Sequence, residues 1–185
     1  MSGIIGVSPN MKSGVVGSFN GILKSYEHKS NGWISTSSSS LVFPTGGMYI
    51  IVDPPASTSS KFLITYSHSS HCNAQNGNAG GASAIARMPT GGTTVVIDGS
   101  MYYDHTGYIF NCHNVRTLNY QIIDAPATTA VIRYEIRIRE HSGNSAVSWF
   151  HHKQMDEGGV EDDNWARMQV FELGDAHTAS TPYTE

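Results

Sequence analysis

The feature that most constrains this chain is a run in which every second side chain is apolar: Ile132-Arg133-Tyr134-Glu135-Ile136-Arg137-Ile138-Arg139. An extended strand sends successive side chains to opposite faces, so Ile132, Tyr134, Ile136 and Ile138 share one face and the charged residues the other. A helix would scatter the four apolar residues around its circumference. The run therefore predicts a half-buried antiparallel strand, its apolar side lining a core, with Ser142-Gly143-Asn144 turning it into the next strand.

Nine similar but shorter runs, rich in Val, Ile, Tyr and Phe, fall at 33–35, 47–52, 62–67, 84–87, 93–97, 108–112, 119–123, 146–151 and 168–173. Turn residues separate them, among them Asn31-Gly32, Pro44-Thr45-Gly46-Gly47, Asp53-Pro54-Pro55, Gly91-Gly92 and Gly158-Gly159. About ten strands without a helical pattern predict an all-β fold, an antiparallel β-sandwich of the jelly-roll kind, in residues 21–175. Only 14% of residues are charged, so Ser, Thr, Asn and Gly must cover the surface, as they do on β-proteins. Thr36-Ser37-Ser38-Ser39-Ser40 and the Gly/Asn-rich stretch from Cys72 to Gly81 read as surface loops.

Residues 1–20 differ from the rest. Ser2-Gly3-Ile4-Ile5-Gly6 recurs as Ser13-Gly14-Val15-Val16-Gly17, too short and glycine-rich to fold alone. Yet seven apolar residues (Ile4, Ile5, Val7, Met11, Val15, Val16 and Phe19) are many for a solvated tail. They predict an extended arm that docks on a partner. Residues 176–185 read as a flexible tail.

Several functions are disfavoured. The net charge is −4 and the basic residues are scattered, which gives nucleic acid no footprint. No apolar run is long enough to span a bilayer, and the N-terminus lacks the pattern of a signal peptide, so synthesis in a cytoplasm is expected. Cys72 and Cys112 are then expected to stay reduced. His68 and His71 before Cys72, Cys112 before His113, and the pair His151-His152 invite a metal reading. On strands, however, His151 and His152 face opposite ways, and His68 and His71 differ in parity. They are read as polar residues at exposed strand ends, with no metal and no cofactor. No nucleophile elbow, phosphate loop or His-Glu-x-x-His motif occurs, so no catalytic residue is assigned and the chain is expected not to be an enzyme. Asp156-Glu157 and Glu161-Asp162-Asp163 read as a solvated turn or a weak calcium loop before Trp165.

The stretch Leu118-Asn119-Tyr120-Gln121-Ile122-Ile123-Asp124-Ala125-Pro126-Ala127-Thr128-Thr129, followed by the alternating strand, resembles the C-terminal half of virion proteins of tailed bacteriophages. Those proteins end in a trimeric jelly roll like those of tumour necrosis factor and complement. The closing Met168-Gln169-Val170-Phe171-Glu172-Leu173 resembles their last strand, with Phe171 in place of the usual methionine. The opening residues 2–17 also resemble the start of such proteins. The resemblance covers about 20 residues at the start and 55 at the end. It implies a non-enzymatic homotrimer on the virion surface, docked by its arm to the major capsid protein or to a tail or adaptor protein. The chain has no repetitive shaft, which favours a capsid decoration (cement) protein. The alternative is a tail- or head-fibre tip that recognises a host-surface glycan or protein. A further alternative is a lectin or glycan-degrading enzyme, with Trp33, Trp149 and Trp165 against sugar rings and Glu157, Asp162 or Asp163 as acids.

Overall fold

The computed structural model describes residues 22–30, 33–72, 79–106, 114–140, 147–150 and 166–174. The regular elements among them are all strands: β1 (Ile22–Ser30), β2 (Trp33–Thr36), β3 (Tyr49–Val52), β4 (Lys61–Cys72), β5 (Ala79–Pro89), β6 (Val95–Val96), β7 (Tyr102–Thr106), β8 (Asn114–Asp124), β9 (Ile132–Glu140), β10 (Val147–Phe150) and β11 (Ala166–Leu173).

The pairing follows one rule. β1 pairs with β11, β3 with β9, β4 with β8, and β5 with both β6 and β7, every pair antiparallel. β6 and β7 meet β5 at successive stretches, so they count as one interrupted strand. Eight strands then pair first with last, second with seventh, third with sixth and fourth with fifth, as in a single long hairpin. The pairs β4·β11 and β5·β9 wrap that hairpin into two sheets. Sheet A runs β1-β11-β4-β8 and sheet B runs β3-β9-β5-β6. This order makes the sandwich a jelly roll. β10 pairs with the end of β4 and carries β2 as an added edge.

Alternation builds the core. Phe62, Ile64 and Tyr66 of β4 and Met168 and Val170 of β11 face Ile132, Tyr134, Ile136 and Ile138 of β9, with Ile50, Val52 and Ile85 completing the cluster. Each large apolar side chain so buried stabilises the fold by about 1.5–3 kcal/mol. A polar tie crosses between the sheets: Asp124 of β8 pairs with Arg87 of β5 and accepts a 2.9 Å hydrogen bond from the Tyr134 hydroxyl. Burial, reinforced by the Asp124 charge, pushes the Tyr134 phenol well above its usual range. In the same cross-strand row, on the other side of Phe62, the buried Glu172 accepts from Ala56 N–H (2.6 Å) and the Ser60 hydroxyl (2.9 Å). These bonds pin the loop between β3 and β4 to β11.

Side chains of β1 close the corner between the two sheets. Lys24 Nζ donates to Pro54 O (2.9 Å), Asp53 N–H donates to the Tyr26 hydroxyl (3.2 Å), and His28 Nδ1 donates to Tyr49 O (2.7 Å). These bonds engage the edge of β3 at Tyr49 and the chain just beyond its end, which hinders pairing with another chain there.

The structure corrects the sequence reading at several points. β1 and β7 were not expected. β4 runs past the predicted strand end at residue 67 to Cys72, the first residue of the predicted loop, and β5 takes in that loop's last three, Ala79 to Gly81. His68 is not at an exposed strand end: it is 2% exposed and stacks on Tyr66 at 4.7 Å. β6 is two residues rather than five. The predicted strand at 108–112 and the turn at 142–144 lie outside the described residues, as do residues 1–21 with the whole predicted arm.

Candidate interaction surface

The two outward faces of the sandwich are built differently. On sheet B, the odd-numbered residues of β9 point outward, but they are largely covered. Glu135 is 2% exposed and lies between Arg133 Nε (2.9 Å) and Arg137 Nε (2.7 Å). Arg133 sits over both Phe43 and Tyr49, 4.3 Å from each ring centre. Arg137 also donates to Leu41 O at 3.4 Å. The segment before β3 brings these partners in: Val42 bridges Ile138 through paired backbone hydrogen bonds of 2.9 and 3.0 Å. The turn that permits this places Gly46 at φ 73° and closes with Gly47 N–H on Pro44 O at 2.9 Å. A Cβ on Gly47 would stand 2.8 Å from both the Phe43 ring and Pro44 O.

Sheet A presents rows that run straight across its strands. One row is Ser25, Phe171, Leu63 and Ile123; the next is Glu27, Gln169, Thr65 and Gln121; the third is Lys29, Arg167, Ser67 and Asn119. The first row belongs to an apolar band that continues to the start of β1, where Ile22 is 58% and Leu23 50% exposed. Ile123, at the far edge, is 58% exposed. Exposed large apolar side chains at the two edges, with the half-buried Phe171 and Leu63 between them, are what an association surface presents.

The other two rows are polar. Between β11, β4 and β8 lies a shallow groove of about 340 Å³, lined by Thr65, Tyr66, Ser67, Asn119, Gln121, Arg167 and Gln169. Arg167 pairs with Glu27, and Lys29 Nζ lies 3.9 Å from the same carboxylate. Thr65 Oγ1 reaches Gln169 Oε1 only at 3.4 Å. The side chains of Ser67, Asn119 and Gln121 have no hydrogen-bond partner among the described residues.

The residues singled out from the sequence fall elsewhere. Ile132, Tyr134, Ile136 and Ile138 are core, each 1% exposed or less. Ile4, Ile5, Val7, Met11, Val15, Val16 and Phe19 lie outside the described residues, as do Cys112, His113, His151, His152, the acidic cluster and Trp165. Among the described residues, no three His, Cys, Asp or Glu side chains come together to hold a metal. The groove was missed because its residues are ordinary outward polar positions on three strands. Thr65-x-Ser67, Asn119-x-Gln121 and Arg167-x-Gln169 become a site only once β11, β4 and β8 are known to be neighbours.

No protein-family model matches the chain, and no curated protein matches it. Among solved structures, the infectious bursal disease virus VP2 subviral particle superposes at TM-score 0.37 and 16% identity, over 83% of this chain and 33% of the viral one. The infectious bursal disease virus Gx strain gives 0.40 and 12%, over 85% and 34%. Dimeric latent PorU from Porphyromonas gingivalis gives 0.38 and 9%, over 85% and 14%. The chain thus spans between a third and less than half of the viral chains it matches. At these scores the superpositions carry no argument about function, and the jelly roll rests on the strand order alone.

Proposed function

We propose that the protein is a non-enzymatic bacteriophage virion structural protein, a homotrimer that decorates and cements the capsid and is held there by its N-terminal arm. The observation that carries the association is the apolar band on sheet A, with Ile22, Leu23 and Ile123 each half exposed or more. Such residues on a folded domain lose exposed area when copies associate. The virion setting is supported by the resemblance of residues 2–17 and 118–137 to phage virion proteins. In this reading the arm supplies the anchor, Ile4, Ile5, Val7, Met11, Val15, Val16 and Phe19 entering the major capsid protein or a tail or adaptor protein.

Deleting residues 1–19 tests the anchor. The truncated domain is expected to keep its melting temperature and to be missing from purified particles. Normal occupancy on particles would refute the anchoring role, and failure to fold would assign those residues to the domain. A second reading, a fibre tip that recognises the host surface, is favoured by the polar groove beside the band.

A further inference from the structure

We infer that the groove on sheet A is a binding site for a neutral, hydroxyl-rich glycan. Its outward lining consists of two hydroxyls (Thr65, Ser67), three amides (Asn119, Gln121, Gln169) and one guanidinium (Arg167). Hydroxyls and amides both donate and accept hydrogen bonds, as the hydroxyls of a sugar do. One side-chain amide offers an acceptor and a donor side by side, which suits two neighbouring sugar hydroxyls. Three of these groups are unengaged by described residues, and they come from two adjacent strands whose pairing fixes their spacing.

Other ligand classes fit less well. The charge at the rim is largely internal, since Arg167 and Lys29 both lie against Glu27. Little positive charge remains to collect phosphates, so a nucleic-acid backbone is disfavoured. A peptide added as a strand would pair along the outer edge of β8 rather than lie in the groove, whose floor strand β4 is already hydrogen-bonded to β11 on one side and β8 on the other. What the groove offers is side-chain hydrogen bonding on a rigid three-strand base, and a polyol uses that fully. The site depends on sheet A alone and holds whether or not the protein sits on a virion.

The test uses the full-length protein on an array of neutral and acidic oligosaccharides, followed by titration of the strongest neutral binder. Binding should change less than about twofold between low and high salt, because no net charge is neutralised. The double variant Asn119→Ala/Gln121→Ala should weaken it at least about tenfold, since two side chains that contact the sugar are removed. Ile51→Ala, on the other sheet, should leave it unchanged. Light scattering on the same samples separates this site from the association reading, because a monomer that still binds keeps the glycan site and removes the trimer. The inference is overturned if no neutral oligosaccharide binds, if only acidic ones bind in a salt-sensitive way, or if the double variant binds as the wild type does.

Discussion

The two outer faces carry similar kinds of residues and put them to opposite use. On sheet B, charged and aromatic side chains satisfy one another: Glu135 is held by two arginines, and Arg133 is held between Phe43 and Tyr49. On sheet A, amides and hydroxyls stand beside an apolar band, and several of them have no described partner. The difference comes from what crosses each face. The 41–49 segment packs along β9 and supplies Phe43, Tyr49 and the Leu41 carbonyl, whereas the rows of sheet A lie open at the groove. Outward residues of β9 are thus engaged by one another and by the 41–49 segment, whereas several on sheet A have no partner among the described residues.

Substitutions sharpen this contrast in a graded way. Ile136→Ala, in the core that both sheets share, should cost about 2–5 kcal/mol in chemical denaturation. On sheet B, Glu135→Ala should cost about 1–3 kcal/mol, because it strands two partly buried guanidinium groups. A loss below about 0.5 kcal/mol would show that this face is as dispensable as a solvated one. The matching change on sheet A, Gln121→Ala, should fall within about 0.5 kcal/mol of wild type. A large loss there would make the groove structural.

A pH titration probes the tie between the sheets. The Tyr134 phenol is raised in the folded state, so above about pH 10 the unfolded chain loses a proton that the folded one keeps. The contribution of this group to stability should therefore be constant below that pH and fall as pH rises beyond it. Tyr134→Phe should lower stability at neutral pH, by loss of the bond to Asp124, and flatten the alkaline slope. An unchanged slope would assign the alkaline loss to other groups.

Legibility from sequence followed the physics of each element. The strand from Ile132 was plain because alternation at period two is local, and its four apolar residues are all core. β1 was missed because its inward residues are Lys24, Tyr26 and His28, whose polar ends bond to β3 and its following loop, so no apolar alternation appears even though the Tyr26 ring packs against the core. His68 is buried because β4 continues its alternation past Tyr66 into Ser-rich sequence, where no apolar side chain marks the inward face. The buried state of Glu135 could not be read either, since it depends on a segment some 90 residues away coming alongside β9. The groove and the apolar band are products of strand order, and no single stretch of sequence holds them.

The central claim is that sheet A is the face left for partners, and light scattering of matched variants tests it most directly. Wild type should have about three times the chain mass at micromolar concentration. Ile123→Glu, in the band of sheet A, should be monomeric, because a carboxylate buried in an apolar contact loses its hydration without compensation. Ile51→Glu, equally exposed but on sheet B, should remain trimeric. A monomeric wild type, or association broken by Ile51→Glu and untouched by Ile123→Glu, would contradict the account.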